Sequence, residues 1–263
     1  MYFILLAANL LLMSDRDLFW DADKIAQTTE ISWDQSTSRV STDVLRGKKI
    51  LVLVHGFNND AKDALSTYRT INEHFSTLLD ADGNNFYDLV IGYLWPGCDE
   101  GLDYYYAKKN VRKLASRMRS HLTLFDTYAS QVDVLAHSMG NYLVLEALDF
   151  STTIAQTKPV RIFYSIAPAI DNESIEEGET YYNSTQNCEK FFVFHSTQDK
   201  VLHYLYSASE FDKALGFEGV ENIKKLPCNV QLVDCSSFAL GHSAYFTANA
   251  LYDFIRNQLL QAK

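Results

Sequence analysis

Apolar and polar positions alternate along the chain in two different patterns. Short apolar runs rich in β-branched residues, typical of strands buried on both faces, occur at Lys48–Val54, Asp88–Leu94, Gln131–His137, Val160–Ile166, Phe191–Phe194 and Val230–Val233. Longer segments with apolar residues at helical spacing lie between and after them, at Asp60–Leu79, Tyr104–Phe125, behind Ser138 and at Ala244–Gln261. This alternation predicts an α/β fold with a doubly wound, mainly parallel sheet and helices on both faces.

The N-terminal part of the chain is less regular. Met1–Met13 is apolar, but it is too short to span a bilayer and lacks the positive start and the cleavage site of a signal peptide. We therefore expect a buried first strand there. Beyond it, the pattern indicates a short helix near Ala22–Gln27 and an edge strand near Glu30–Trp33.

The chain is long and apolar enough to form one large core. Apolar residues make up 47% of its 263 residues, and no linker rich in Pro, Gly or Ser divides them, so we expect a single domain over residues 1–263. Segments near residues 171–189 and 203–229 stand between predicted strands. They are predicted caps or lids over the site, although solvated loops without function explain them equally well.

Charge and cysteine content limit the classes of partner and the location that we expect. The net charge is −10 and Lys and Arg form no stripe, so no nucleic-acid partner is expected. The four cysteines show neither CxxC pairing nor metal-ligand spacing, which predicts reduced thiols and no metal site. No cofactor is expected either. With the missing signal-peptide features, this favours a cytoplasmic location without stable membrane insertion. The oligomeric state stays open.

The stretch Ala136–Gly140 carries the first chemical motif. A buried strand ends in Ser138, small residues lie two positions away on each side, and a helix-forming segment follows at once. This is the pattern of a nucleophile elbow, in which a strained turn exposes the serine Oγ at the carboxyl edge of the sheet. We predict that Ser138 is a nucleophile; a serine that merely caps a helix is the alternative.

A serine nucleophile requires a base and an acid that orients the base. Of seven histidines, His242 follows the last predicted strand in a glycine-led loop, where the chain order nucleophile, acid, histidine would place the base. Asp199, directly beyond the strand Phe191–Phe194, is the favoured acid. Asp171, beyond the preceding strand, is its rival, and either aspartate could instead be an ordinary turn residue.

Two further features complete the predicted site. An oxyanion hole requires two backbone N–H donors, which we assign to Met139 behind the nucleophile and to Phe57 in the loop after Val54. Trp95, Tyr104 and Tyr105 are candidates for substrate binding, because they lie beyond the strand Asp88–Leu94; the tyrosines could equally begin a packed helix.

Taken together, these motifs resemble the α/β-hydrolase superfamily. The matching segments are Leu51–Asn59, Trp95-Pro96, Ala136–Asn141, Ser196–Leu202 and Gly241–Ser243, in the same order. They are most similar to a bacterial family of uncharacterised α/β hydrolases with His-Gly-aromatic-Asn-Asn, Trp-Pro and Ala-His-Ser-Met-Gly motifs, and the elbow also resembles that of small bacterial lipases. The resemblance covers about Lys48–Phe246 and implies Ser138 as nucleophile, Asp199 as acid and His242 as base.

The resulting expectation is a serine hydrolase that cleaves a carboxylic ester or thioester through an acyl-enzyme. One alternative is an acyltransferase that uses the same three residues. The other is a noncatalytic scaffold of this fold that binds a ligand or partner, although every catalytic position holds a suitable residue. The expected partner is a small-molecule ester or thioester.

Overall fold

The computed structural model describes residues 10–18, 24–33, 41–98, 103–149 and 158–261. Within them, eight strands form one sheet in the order β2-β1-β4-β3-β5-β6-β7-β8. The strands are β1 (Leu10–Arg16), β2 (Ile25–Trp33), β3 (Lys49–Val54), β4 (Leu89–Leu94), β5 (Gln131–His137), β6 (Val160–Ile166), β7 (Cys188–His195) and β8 (Val230–Asp234).

Every neighbouring pair in the sheet is parallel except β1 and β2. After β3 the chain first adds β4 on one side of that strand, and β5 then pairs on its other side. The direction of winding therefore changes between β3 and β5. In a parallel sheet, the crevice beyond the carboxyl ends of such strands is the usual place for a site.

Helices cover both faces of the sheet. The long ones are α1 (Ala61–Thr77), α2 (Tyr104–Tyr128), α3 (Met139–Leu148) and α7 (Asn249–Gln261). Helices α2 and α3 pack on one face and α1 and α7 on the other, so the strands separate two apolar clusters. Shorter helices are α4 (Tyr182–Gln186), α5 (Ser207–Glu210) and α6 (Leu215–Glu218), with a π-helical segment at Val201–Tyr206 and 3₁₀ turns at Thr42–Leu45, Ile223–Lys225 and Ala244–Thr247.

The predicted fold class is confirmed, and the inner strands lie where their apolar runs predict them. The helix predicted near Ala22–Gln27 is wrong, because residues 25–27 belong to strand β2, and residues 22 and 23 lie outside the described residues. Antiparallel pairing with β1 determines that conformation, and β2 is one of the two edge strands of the sheet, with β8 at the other edge. The first strand begins at Leu10 and continues to Arg16; residues 1–9 lie outside the described part.

Two further observations concern the cysteines and the helices. None of the four cysteines forms a disulfide, and Cys228 is the exposed one. Among the described residues, no helix has both the length and the apolar character that crossing a membrane requires.

A buried ion pair ties β5 to β6 at the end of the sheet opposite the site. Asp133 is fully buried and accepts hydrogen bonds from Arg161 Nη2 at 2.5 Å, the Tyr87 hydroxyl at 2.6 Å and the Ile162 N–H at 3.1 Å. Burial raises the pKa of Asp133. The hydrogen bonds from Arg161 lower it, but the effect of burial is larger, so the pKa is raised overall. Because the pKa of the folded state is raised, ionisation of this group costs stability as the pH increases.

Replacing Arg161 with Met should lower the free energy of unfolding at pH 7 by about 3–5 kcal/mol, since it leaves the buried Asp133 carboxylate without its cation. Without the cation the folded-state pKa of Asp133 rises further. The loss should therefore shrink as the pH falls toward the pKa of an unfolded aspartate, which chemical denaturation at neutral and acidic pH measures.

The matched control is Arg46→Met, because Arg46 pairs with Asp43 on the surface, where both side chains are well exposed. It should change the free energy of unfolding by less than about 1 kcal/mol. A loss in Arg161→Met that is independent of pH would contradict the assignment to the buried charge.

Candidate active site

Ser138 occupies a strained turn between β5 and α3. Its φ and ψ angles are 53° and −125°, in a region that residues with a side chain rarely adopt. Its N–H donates to the Ile166 carbonyl at the end of β6 at 3.0 Å, and its own carbonyl accepts from the N–H of Ala169 at 3.3 Å. The side-chain amide of Asn141 bridges the Ser138 and Ile166 carbonyls at 3.0 Å each. These bonds hold the serine at the carboxyl edge of the sheet.

Two glycines allow other backbone segments to approach this turn. A Cβ on Gly140 would lie 2.5 Å from the His55 carbonyl oxygen and 2.7 Å from that of Val54. A Cβ on Gly56 would lie 2.8 Å from Ser138 Cβ and 3.3 Å from its Oγ. The loop after β3 therefore lies directly against Ser138, and glycine is required at both contacts.

The predicted base and acid meet across the carboxyl ends of the last strands. His242 Nδ1 lies 2.7 Å from Asp199 Oδ2, and Asp199 is fully buried. The other oxygen of Asp199 accepts the Leu202 N–H at 3.1 Å. The carboxylate is thus oriented by one backbone donor and directed at one imidazole nitrogen.

The rival acid lies elsewhere. Asp171 accepts a hydrogen bond from the Tyr206 hydroxyl at 2.6 Å and pairs through its backbone with Ala214 in an isolated bridge. Of the two aspartates considered from the sequence, Asp199 is the one in contact with His242.

Two contacts position the loop that carries His242. His137, the residue before Ser138, donates Nε2–H to the His242 carbonyl at 2.9 Å, and the two rings lie 4.5 Å apart. Burial, and next the neighbouring His242, hold the pKa of His137 well below its usual range. Ser196, in the loop of the acid, donates to the Ala239 carbonyl at 2.6 Å, which joins the acid and base loops. The sequence does not indicate this role of His137, because its partner His242 is 105 residues away in the chain.

The two predicted backbone donors flank the serine. Met139 is the first residue of α3, so its N–H has no partner within the helix. Phe57 belongs to the turn that Gly56 brings against Ser138. In the described part of the chain, the N–H groups of Phe57 and Met139 have no hydrogen-bond acceptor.

A cavity of about 450 Å³ opens onto Ser138 and His242. Helix α1 and the π-helical segment form two of its walls, and the loops after β3 and before α7 form the others. Among the described residues, the lining contains no Asp, Glu, Lys or Arg side chain. Apolar and aromatic side chains dominate it, including Phe57, Ile71, Tyr104, Leu202, Leu205, Tyr206 and Phe246.

The aromatic candidates have three different environments. Tyr104 lines the cavity and packs edge-on against Phe57, with ring centroids 5.5 Å apart. Trp95 is fully buried beneath the β3 loop, where it stacks on His55 at 5.5 Å. Tyr105 is 61% exposed and donates to the Ser209 carbonyl at 3.1 Å. Of the three, Tyr104 reaches the cavity wall; Trp95 and Tyr105 do not line it.

The two predicted cap segments also differ. Segment 203–229 contributes Leu205, Tyr206 and Ser209 to the cavity. Segment 171–189 packs instead against α3, where Tyr181 donates to Glu146 at 2.7 Å, and it does not line the cavity. Sequence reasoning did not assign the α1 wall residues Thr67 and Ile71 to the site, because their helical spacing indicates only a packed helix face.

A mainly parallel sheet of this order, with a strained serine between β5 and α3 at its carboxyl edge, defines the α/β-hydrolase class. The chain belongs to the DUF900 family, alpha/beta hydrolases of unknown function, whose model matches residues 33–262. The superfamily resemblance found in the motifs is thereby confirmed, and the protein is an α/β hydrolase.

Solved structures with a similar chain path are distant in sequence. The esterase Pf2001 of Pyrococcus furiosus is 13% identical, with 89% of this chain and 84% of that chain covered and a TM-score of 0.47. Lipase B of Aspergillus fumigatus is 14% identical, with 81% and 52% covered and a TM-score of 0.49. For esterase PE8 the identity is 14%, the coverage 82% and 93%, and the TM-score 0.44. None of the curated proteins matches the sequence. At this distance the likenesses carry no argument about activity.

Gly140→Ala should destabilise the fold, because its new Cβ would have to displace the carbonyl oxygens of Val54 and His55. We expect a loss of about 1–3 kcal/mol, the usual cost of overpacking a buried contact, measured by thermal or denaturant unfolding. Gly241→Ala is the matched control, since a Cβ there meets no atom within 4 Å. Equal stability of the two variants would argue against a close approach at the elbow.

Proposed function

We propose that this α/β hydrolase cleaves carboxylic esters or thioesters through an acyl-enzyme on Ser138. The observation that carries the proposal is the 2.7 Å contact of His242 with the buried Asp199, on a histidine that opens onto the same cavity as the strained Ser138. A carboxylate, an imidazole and a hydroxyl in this order are what a serine nucleophile requires.

The contact with Asp199 specifies the proton chemistry. A carboxylate accepts, so His242 donates Nδ1–H to it, and its Nε2 is left as the base. In the proposed reaction Nε2 takes the Ser138 hydroxyl proton while Oγ attacks the substrate carbonyl carbon. The proton then passes to the leaving alcohol or thiol as its bond to the acyl carbon breaks. Water repeats the sequence on the acyl-enzyme and releases the acid.

The backbone N–H groups of Phe57 and Met139 are proposed to stabilise the oxyanion of the tetrahedral intermediate. Support comes from their position on either side of Ser138 and from their lack of another acceptor in the described part of the chain. Removing one oxyanion-hole donor from a serine hydrolase typically costs about 3–4 kcal/mol of transition-state stabilisation.

The cavity favours an uncharged, apolar acyl group. Burying a charged group without a partner is expensive, and the described lining has no charged side chain to compensate it. A volume of about 450 Å³ leaves room for an acyl chain or a small aromatic group beside the nucleophile.

The first test is covalent labelling with an alkyl phosphonate probe and turnover of p-nitrophenyl esters. Ser138→Ala should abolish labelling, and Asp199→Asn should lower kcat by about 10⁴-fold, because it disturbs the tautomer of His242. Product analysis with added alcohols distinguishes hydrolysis from acyl transfer.

Two controls use residues of the same type near the site. Ser243→Ala changes another serine of the cavity lining, and Asp171→Asn changes the rival acid; both should keep labelling and most of the activity. Failure of well-folded wild-type protein to react with several classes of probe would contradict the proposal and favour a binding scaffold.

A substitution on helix α1 tests whether the cavity binds the acyl group of the substrate. Thr67→Phe places a large side chain into the cavity and should shift the preference among p-nitrophenyl esters toward shorter acyl chains, with kcat/KM for the longest chain reduced about 10-fold or more. Thr70→Phe on the same helix is the matched control, because Thr70 is outside the lining and bonds the Ser66 carbonyl. The same chain-length profile in both variants would place the acyl group elsewhere.

A further inference from the structure

Arg16, at the end of β1, is a fully buried arginine that lies behind the predicted oxyanion loop. Its Nε donates to the Trp95 carbonyl at 3.1 Å. Its Nη2 lies 3.2 Å from His55 Nε2 and donates to the Asn59 carbonyl at 3.0 Å. One side chain thus binds both ends of the turn from His55 to Asn59. It precedes residues 33–262, the part of the chain that the family model matches.

The contact with His55 fixes the tautomer of that ring. A guanidinium can only donate, so His55 Nε2 must be the acceptor and carries no hydrogen. The hydrogen is then on Nδ1, which donates to the Gly56 carbonyl at 2.8 Å. Burial, and next the charge of Arg16, lower the pKa of His55 to about 3, so the ring stays neutral at physiological pH.

The bond from His55 orients a whole peptide unit. In a trans peptide the C=O and the following N–H point in opposite directions. Because the Gly56 carbonyl is held toward the His55 ring, the N–H of Phe57 points to the opposite side of the turn. A Cβ on Gly56 would lie 2.8 Å from Ser138 Cβ, and Phe57 lines the cavity, so this peptide unit borders the site.

Neighbouring contacts keep His55 in place for this task. Its N–H donates to the Tyr68 hydroxyl at 3.0 Å, and the Trp95 indole donates to its carbonyl at 2.7 Å while stacking on the ring. The Asn59 side chain donates to the Phe57 carbonyl at 2.8 Å, which fixes the next peptide unit as well. The turn is therefore held by side-chain hydrogen bonds at His55, Phe57 and Asn59, and these residues line the cavity.

We propose that Arg16 is a positioning residue for catalysis: through His55 it sets the Gly56–Phe57 peptide so that the Phe57 N–H faces the oxyanion. The inference rests on the proposed function and assigns a task to the N-terminal strand. Arg16 touches neither substrate nor reacting atoms, and its effect is confined to interactions made in the transition state.

The test compares Arg16→Met with Arg117→Met in p-nitrophenyl ester hydrolysis. Arg117 pairs at 2.8 Å with Asp15, the β1 neighbour of Arg16, so its loss weakens the same strand without touching the oxyanion loop. In Arg16→Met, kcat and kcat/KM should fall together by at least about 10-fold, up to the ~10²–10³-fold expected for a lost oxyanion donor, with KM unchanged. Arg117→Met should lower the Tm and leave kcat within about 3-fold of wild type.

A transition-state analogue distinguishes a specific effect on the position of the Phe57 N–H from a general destabilisation of the protein. An alkyl trifluoromethyl ketone forms a tetrahedral adduct on a serine, and its Ki should rise in Arg16→Met by the same factor as kcat falls. The corresponding methyl ketone lacks the fluorine atoms that favour adduct formation and therefore resembles the ground state; it should bind equally to both proteins. Unchanged kcat and Ki in a folded Arg16→Met protein, or equal kcat losses in the two arginine variants, would overturn the inference.

A second pair of variants decides the case if Arg16→Met does not fold. His55→Asn keeps an N–H donor at the position of Nδ1, within reach of the Gly56 carbonyl, whereas His55→Gln places its amide at the position of Nε2. We expect kcat of the Asn variant to exceed that of the Gln variant about 10-fold or more; equal values would overturn the inference. Wild-type protein without esterase activity or probe labelling would instead contradict the proposed function itself.

Discussion

The close approach of three backbone segments around Ser138 is the constraint on which the site depends. The serine is held at a φ of 53° between the end of β5 and the start of α3. The loop after β3 approaches the serine at Gly56, and Gly140 in α3 leaves room for the Val54 and His55 carbonyls. The Ile166 carbonyl at the end of β6 accepts the serine N–H. Such strain persists only where the surrounding packing overdetermines it. Parallel pairing of β3, β5 and β6 supplies that packing, since it fixes the distance between the three strand ends.

The charged groups at this edge of the sheet, Asp199 and Arg16, are buried and hydrogen-bonded, and neither lines the cavity. Asp199 is buried, but His242 and a backbone N–H occupy its two oxygens. Arg16 is buried behind the turn from His55 to Asn59, where carbonyls and a neutral imidazole accept its hydrogen bonds. In the described lining the cavity is therefore polar only at hydroxyl, amide and imidazole groups. An apolar cavity of this kind strengthens each remaining electrostatic interaction, because water screens it less.

Hydrogen bonds join loops from distant parts of the chain to one another near Ser138. Ser196 links the acid loop to the base loop through the Ala239 carbonyl, and His137 holds the backbone of His242. These contacts limit how far His242 can move from the elbow. A site whose members are oriented by neighbouring hydrogen bonds loses less entropy when it forms the transition state.

The order of most strands and helices and the turn at Ser138 follow from the sequence alone. These depend on local properties: the period of apolar residues, the space that glycine leaves and the conformation of a turn. The edge strand β2 was only partly predicted, because pairing with β1 overrides its weak local pattern. Three features depend on the tertiary structure. Asp199 rather than Asp171 contacts His242, Tyr104 reaches the cavity while Trp95 does not, and Arg16 contacts His55. Each is a distance between residues far apart in the chain, and such distances are set by strand order and loop paths, which no short stretch of sequence specifies.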